Sequence, residues 1–426
     1  MKIAQVASPA NNRSTPPPQA EVVVIGASIA GLFAAYLLAR QGKQVRLFDT
    51  GDLTQLQSRT LIATAQLEEV LGFFPQEAVV NRVATMEIIA AQTAIKVSLG
   101  KPDLIVERAS MIRLLAQRAQ DAGVELSLNH RFIGFEPASG GLKLKLQNKL
   151  DKSPRQITTR VLVGADGAVS PVASAAGIEH FPRVPLLQAI VEPKGGCDPA
   201  NVQVWFEPER SRYFFWSIPE NAKRAVVGFI ADDATTARAR LLDFLREHNL
   251  PPLQIQAARI PLFVAGRKPW KRINGCDVYL VGDAAGHVKV TTVGGLVTGL
   301  WGAKAAAQAI QAKSDYGKAL RPLQRELWLH GLIRRVLNRF NPRDYQQLLA
   351  AIDGATANLL GQYSRDELAK MALKLIFTQP RLMSFAKHLI LPDSNRDTHV
   401  QPAAWHSKVM PATLQPAAAP MQFEDK

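Results

Sequence analysis

The chain has 426 residues, of which 47% are hydrophobic and 20% charged, and its formal net charge at pH 7 is +15. This length predicts two or three folding units, and this composition excludes a mainly disordered or fibrous protein. The two cysteines, Cys197 and Cys276, are too few for a disulfide scaffold or a cysteine-based zinc site. We therefore expect two reduced thiols and no metal site.

The basic residues are spread along the chain rather than gathered in runs of five or more. No zinc-finger or RNA-recognition motif accompanies them, so we do not expect a nucleic-acid partner. An anionic lipid surface or a phosphate-bearing ligand fits the charge better.

Residues 22–39 form an uncharged run of 18 residues, a length at which a transmembrane helix must be considered. The run opens with four β-branched residues, passes through a glycine cluster and ends in a helical pattern. A buried strand, a tight turn and a helix explain this order. We therefore predict neither a signal peptide nor a transmembrane segment, and we expect a cytoplasmic protein.

Hydrophobic patterns predict the other elements in chain order. They are helix 32–40, strand 45–48, helix 111–121, strand 161–163, short strands at 203–206, 213–218 and 225–230, strand 278–281, helix 295–310, and helices from 316 to 391.

The fold class that this order predicts is α/β (α+β overall), with a polar, proline-rich, disordered leader at 1–20. We expect a Rossmann-like nucleotide-binding domain that is discontinuous in this sequence and that can include part of a second sheet. An antiparallel β-sheet domain, a C-terminal helical region and a flexible tail complete the chain. The nucleotide-binding domain is expected at 21–184 and 266–315, and the β-sheet domain at 185–265. The helical region is expected at 316–392 and the tail at 393–426.

A glycine-rich turn follows the first strand and opens the first helix. Its residues are Gly26, Ala27, Ser28, Ile29, Ala30 and Gly31. Ser28 replaces the middle glycine of the dinucleotide-binding fingerprint, but a small residue still lets the backbone approach a pyrophosphate at the helix N-terminus. Asp49 ends the second strand, where a carboxylate can accept hydrogen bonds from ribose hydroxyls. The unit predicts dinucleotide binding without choosing between NAD and FAD.

Two further aspartates stand beside glycines at the ends of predicted buried strands. Asp166 precedes Gly167, and Asp283 follows Gly282. Aspartate accepts hydrogen bonds from hydroxyl groups, and glycine allows close approach to phosphate, so these pairs suit the sugar-alcohol chain of FAD.

These three motifs together resemble the FAD-dependent reductase and aromatic-hydroxylase-like monooxygenase superfamily, and within it the geranylgeranyl reductase family. The late motif of that family reads G-D-A-A-G-Q-V-K-P-T-T-G-G-G, and residues 282–295 read G-D-A-A-G-H-V-K-V-T-T-V-G-G. The departures are His287, Val290 and Val293. The resemblance covers roughly residues 21–392 and implies FAD as cofactor, with NADPH or a reduced protein carrier as external electron donor.

The resemblance also implies roles for single residues. Arg108 would contact FAD, and Arg59 would face either the cofactor or the substrate. Gly294 and Gly295 would open a helix whose positive end faces the flavin ring. Residues 214–219 have the spacing of the family's Y-x-W-x-F-P motif, with Phe214 in place of tyrosine and Ile218 in place of phenylalanine. The resemblance implies substrate contacts for Phe214, Trp216 and Pro219.

The implied reaction is hydride transfer from reduced flavin to a carbon–carbon double bond of an isoprenoid, followed by protonation. His287 and Tyr213 are candidate proton donors from position alone. A monooxygenase is the first alternative, although hydroxylases usually read G-D-A-A-H where this chain has Gly286. An electron-transfer flavoprotein without small-molecule chemistry is the second.

Residues 321–343 form a basic amphipathic pattern. The apolar positions Leu327, Ile333, Val336, Leu337 and Phe340 fall roughly on one helical face, and Arg325, Arg334, Arg335 and Arg339 supply positive charge. Such a helix either lies on an anionic membrane or packs on its own domain with arginine in solvent. We expect a hydrophobic or lipid substrate, with peripheral membrane contact left open.

Overall fold

The computed structural model describes residues 19–371, 374 and 380–389. Its strands are β1 (Gln19–Ile25), β2 (Val45–Phe48), β3 (Thr60–Ala63), β4 (Val79–Ala90), β5 (Thr93–Glu107), β6 (Glu125–Ser127), β7 (His130–Ala138), β8 (Gly141–Asn148), β9 (Pro154–Gly164), β10 (Arg183–Val191), β11 (Asn201–Trp205), β12 (Phe215–Pro219), β13 (Ala225–Ile230), β14 (Pro252–Pro261), β15 (Trp270–Ile273) and β16 (Cys276–Leu280). Its helices are α1 (Ile29–Arg40), α2 (Gln66–Leu71), α3 (Arg108–Asp121), α4 (Pro171–Ala176), α5 (Ala234–Glu247), α6 (Leu296–Ala312), α7 (Tyr316–Leu337), α8 (Pro342–Ala350) and α9 (Gly354–Gln362).

The first sheet has the Rossmann-like core that the sequence predicts. Its main order is β15-β16-β9-β1-β2-β6, and the pairs from β16 to β6 are parallel. Three helices, α1, α3 and α6, pack on one face, and the antiparallel hairpin β7–β8 contributes to the hydrophobic cluster on the other. Coverage on both faces explains why β1 reads as a continuous apolar run. The α/β fold prediction is confirmed.

The second sheet has the order β14-β10-β13-β12-β11-β4-β5-β3. Residues 185–265 supply only β10 to β14, whereas β3, β4 and β5 come from residues 60–107. This arrangement fits the expectation that the nucleotide-binding domain can include part of the second sheet, and the exact domain limits stay a prediction. Most β4 side chains are partly exposed and its parallel partner β11 lies more than a hundred residues later, so no local apolar run marks it.

The two faces of the second sheet are covered differently. Phe215 of β12 stacks against Phe229 of β13 and Phe244 of α5 on one face. Since neighbouring side chains of a strand point to opposite faces, Phe214 and Trp216 lie on the other face, toward the first sheet.

Helix α7 packs its apolar face inward. Leu327 is fully buried, and Val336 and Leu337 pack against a cluster around Phe340. Arg334 is also buried and donates hydrogen bonds to the backbone carbonyls of Arg212, Val290 and Thr291. The apolar face therefore cannot be the part that meets a membrane.

The chain ends meet the predictions only in part. Gln19 and Ala20 belong to β1, so the expected leader is at least two residues too long; residues 1–18 and the expected tail at 393–426 lie outside the described residues. Helices α7, α8 and α9 occupy the expected helical region. Within the described part of the chain, no helix has both the length and the apolar character needed to cross a bilayer.

The close contact of α1 with the end of β9 gives a first prediction. A Cβ atom added at Gly31 would lie 2.2 Å from the carbonyl oxygen of Gly26 and 2.6 Å from Cβ of Ala165. We expect Gly31→Ala to lower the free energy of unfolding by about 1–3 kcal/mol, because one obstacle is backbone and the other is a Cβ atom fixed directly to buried backbone. Thermal and urea unfolding followed by circular dichroism measure this loss.

Gly331→Ala in α7 is the matched control. An added Cβ atom meets nothing within 4 Å there. Alanine favours a helix interior, so this variant should gain about 0.5–1 kcal/mol. Equal stability of both variants would show that the contact at Ala165 is not a packing constraint.

Candidate active site

Three turns that are far apart in sequence touch one another at the carboxyl edge of the first sheet. Gly26 has φ +109°, and a Cβ atom there would lie 2.3 Å from the carbonyl oxygen of Ala165. A Cβ atom at Gly282 would lie 2.9 Å from Cβ of Ala30. The glycine-rich turn, the turn after β9 and the turn after β16 therefore form one surface.

This surface is one side of a cavity of about 500 Å³ between the two sheets. On the first-sheet side it is lined by Ser28, Ile29, Ala30, Gly167, Gly282, Asp283, Gly294 and Gly295. On the second-sheet side the lining is mostly apolar and includes Met86, Val204, Phe206, Phe214, Trp216 and Ile218. One cavity thus joins a glycine-rich, charged compartment to an apolar compartment.

The first turn presents the N-terminus of α1 to the cavity. Ser28 caps this helix, and its hydroxyl oxygen accepts a hydrogen bond from the Gly31 amide at 3.2 Å. The hydroxyl proton remains able to donate. The positive end of the helix dipole favours an anionic group at this position.

Asp49 supports the first turn from the end of β2. Its carboxylate accepts hydrogen bonds from the backbone amides of Ala27 and Gly51, each at 2.6 Å. Neither Asp49 nor Ala27 lines the cavity. The structure therefore assigns Asp49 a role in shaping the turn, and ribose binding stays a prediction.

Asp166 has a similar position in the second turn. Its carboxylate accepts from the Ser170 hydroxyl at 2.6 Å and from the Val172 amide at 2.8 Å. Burial raises the pKa of Asp166 above its ordinary value, although both hydrogen bonds oppose this. Gly167, not Asp166, is the residue of this motif on the cavity wall.

Arg59, Arg108 and Asp283 form a charged group on the cavity wall. Arg108 is the first residue of α3 rather than a residue ahead of it, and its amide donates to the Arg59 carbonyl at 2.9 Å. Burial raises the pKa of Asp283, and the two guanidinium groups partly counteract this. Burial and the Arg108 charge lower the pKa of Arg59. Two cations beside one carboxylate favour an anionic ligand.

The loop between β16 and α6 is held by its own backbone and by an ion pair. The Lys289 amide donates to the Gly294 carbonyl at 3.1 Å. The Lys289 ammonium binds Asp366, whose other carboxylate oxygen accepts from the Thr64 hydroxyl at 2.5 Å. Burial alone would raise the pKa of Asp366, but Lys289 and Thr64 lower it below its ordinary value.

This ion pair and a second one attach the segment after α9 to the cavity. Arg365 also lines the cavity and binds Asp103 at 2.6 Å. Sequence reasoning missed these residues. Lys289 stands inside the late motif, but no local pattern indicates a partner 77 positions away.

The structure does not support His287 as the proton donor. Its ring packs against α6, where a Cβ atom at Gly302 would lie 2.0 Å from Nδ1, and it does not line the cavity. Burial lowers the pKa of His287 to about 3, so the ring is neutral near pH 7. Tyr213 is also off the cavity wall; its ring lies 4.6 Å from the Arg334 guanidinium carbon, and burial raises its pKa.

Two of the three expected substrate residues line the cavity. The rings of Phe214 and Trp216 lie 5.8 Å apart on its apolar side. Pro219 ends β12 away from the cavity, and its carbonyl accepts a hydrogen bond from the Asn81 side chain at 2.9 Å. Its side chain is therefore not placed to meet a ligand in the cavity.

The residues on the first-sheet side fit FAD. The helix N-terminus and the two arginines suit its pyrophosphate, and Asp283 can accept hydrogen bonds from its ribityl hydroxyls. Gly294 adds an open stretch of backbone, since a Cβ atom there would meet nothing closer than 3.5 Å. This compartment can hold a flat ring system near the start of α6.

Two relatives of known type are similar to most of this chain. Digeranylgeranylglycerophospholipid reductase of Methanococcus vannielii is 23% identical over 393 residues, which is 87% of this chain and 98% of the relative. Geranylgeranyl diphosphate reductase of Rhodobacter capsulatus is 26% identical over 342 residues, which is 76% of this chain and 84% of the relative.

A solved structure and a family model give the fold and the family. The crystal structure of a geranylgeranyl bacteriochlorophyll reductase-like protein from Thermoplasma acidophilum superposes with a TM-score of 0.74 at 16% identity, covering 87% of this chain and 99% of that one. The FAD binding domain family model matches residues 19–315. The chain therefore belongs to the FAD-binding domain family, and it is an FAD-dependent oxidoreductase that resembles the geranylgeranyl reductases.

Proposed function

We propose that this protein reduces carbon–carbon double bonds of a geranylgeranyl-type isoprenoid lipid or prenyl chain. The observation that carries the proposal is the single cavity that joins an FAD-type compartment to an apolar one walled by Phe214 and Trp216. A prenyl chain is apolar and slender, and such a wall can bury it against aromatic rings. The reductase relatives support the same substrate class.

The chain's own residues prepare the site for hydride transfer. Bound FAD supplies the hydride, and NADPH or a reduced protein carrier must return electrons to it. The N-terminus of α6 places positive charge at the end of the loop 286–295. Positive charge fixed in a water-poor site stabilises negative charge that develops there. Apolar side chains such as Met86 and Ile218 exclude water from the other compartment.

The mass of the product tests the reaction. We expect the holoprotein, reduced by dithionite without oxygen and given geranylgeranyl diphosphate, to yield products that are two hydrogens heavier per bond reduced. Chemical reduction makes the result independent of the natural electron donor. A product heavier by one oxygen after air is admitted would instead establish the monooxygenase alternative. No product, together with rapid electron transfer to a protein acceptor, would establish the electron-transfer alternative.

Phe214→Ala tests the aromatic wall. Because Phe214 lines the apolar compartment and not the FAD compartment, we expect its loss to raise KM for the prenyl substrate by about tenfold or more while FAD content stays unchanged. Steady-state kinetics and the flavin absorbance per mole of protein measure the two effects. Phe135→Ala is the control, because Phe135 is also partly buried but packs against the β7–β9 side of the first sheet. Equal effects of the two variants would contradict the assignment.

We also propose that the solvent face of α7 contacts an anionic membrane. Its inward apolar face is already occupied, but Trp328 is 49% exposed on the outer face. The exposed basic residues around it are Lys318, Arg321, Arg325 and Arg335, spaced so that they follow one side of the helix. Tryptophan favours the membrane interface, and lysine and arginine bind anionic head groups. The cytoplasmic leaflet offers such an anionic surface, and we propose that the contact is made there.

Flotation with vesicles tests the membrane contact. Each basic side chain near an anionic surface contributes about 1 kcal/mol, so replacing Arg321, Arg325 and Arg335 with alanine should lower partitioning into phosphatidylserine vesicles by about 100-fold. A higher salt concentration should also lower partitioning into these vesicles, because salt screens the attraction between opposite charges. The control replaces three exposed arginines elsewhere, namely Arg131, Arg160 and Arg238. Equal losses in both triple variants would mean that only net charge matters.

A further inference from the structure

We propose that Val293 is a specificity-determining residue, whose side chain narrows the cavity to the width of a linear isoprenoid and excludes flat ring systems. This inference rests on the proposed isoprenoid substrate. It is carried by two independent observations, the backbone conformation of Val293 and the position of its side chain.

The backbone of Val293 is in the left-handed region, with φ +52°. Among the described non-glycine residues with positive φ, it is the only β-branched one. Branching at Cβ crowds the backbone in this region, so a valine there is strained. The loop imposes the conformation, because the Val293 amide donates to the Lys289 carbonyl at 2.7 Å and the Lys289 amide donates to the Gly294 carbonyl. Glycine would adopt the same conformation without strain.

Val293 lines the cavity beside residues of both compartments. It is only 8% exposed, lines the cavity, and belongs to the buried apolar cluster that contains Val288, Trp216 and Ile218. The next residue, Gly294, borders the start of α6 on the FAD side. Since Trp216 and Ile218 belong to the apolar side and Gly294 to the FAD side, we infer that the isopropyl group stands where the two compartments meet.

The two observations together separate a functional side chain from an ordinary core residue. A core valine in a strand or helix has an unstrained backbone. Val293 instead keeps a strained backbone conformation at a position that glycine would occupy without strain. What valine adds is volume inside the cavity. A side chain that narrows the cavity admits thin ligands and excludes wide ones. A prenyl chain has a smaller cross-section than a fused aromatic ring, so the two can be distinguished in this way.

Equilibrium binding to the FAD-loaded protein tests the inference without turnover. The probes are geranylgeraniol as the linear chain and 2-naphthol as the flat ring, followed by tryptophan fluorescence and by the flavin absorption band. We expect the wild type to prefer geranylgeraniol. Val293→Gly and Val293→Ala should each reduce that preference about tenfold, because the removed carbons open the passage to the ring. A preference unchanged within twofold in both variants would overturn the proposal.

Thermal unfolding tests the strain separately and has an internal control at Val288. At Val293 the glycine variant should melt about 1–2 °C above the alanine variant, because alanine keeps the left-handed penalty. At Val288, which has no positive φ and is 1% exposed, the order should reverse. The same order at both sites would overturn the strain argument.

These measurements stand apart from the proposed reaction. A binding preference that shifts in the variants, in a protein that yields no reduced product, would support Val293 as a filter and reject the reductase. Reduced product with an unchanged preference would support the reductase and reject the filter.

Discussion

The close approach of three turns at the edge of the first sheet is the constraint on which the site depends. Gly26 and Gly31 lie against Ala165, and Gly282 lies against Ala30, at separations that leave no room for a Cβ atom. This contact brings the N-terminus of α1 and the turns after β9 and β16 into one surface. A cofactor with a nucleotide at one end and a ring system at the other can then span elements that are more than 250 residues apart in sequence.

The second constraint is electrical, since the cavity wall carries buried charges that must be balanced. Lys289 binds Asp366 and Arg365 binds Asp103, so these cations are neutralised within the protein. Among the described residues that line the cavity, Asp283 is the one carboxylate beside Arg59 and Arg108, which leaves positive charge for an anionic ligand. The apolar side chains of the compartment beside them need no charged partner. We therefore expect the anionic cofactor on the side with unpaired positive charge and the apolar substrate on the other side.

Local pattern was a reliable guide where one short segment contains the whole signal. The turn 26–31, the strand and helix beside it, and the late motif at 282–295 were all identified with their correct neighbours. Prediction was weaker where a side chain has an alternative partner close by. The carboxylates of Asp49 and Asp166 accept hydrogen bonds from the backbone amides of Ala27 and Val172, and their contacts with the cofactor stay predictions. His287 was expected near the reaction, but it packs against Gly302.

The sequence by itself determined the fold class, the glycine-rich turns at the strand ends and the shared strand face of Phe214 and Trp216, because periodicity, glycine spacing and strand alternation are local properties. Only the tertiary structure decided which strands complete the second sheet, which arginines share the cavity, and which aspartate pairs with Lys289. Those choices depend on contacts between residues far apart in the chain, such as β4 with β11 and Lys289 with Asp366. The strain at Val293 is likewise imposed by the closed loop around it and not by its own preference.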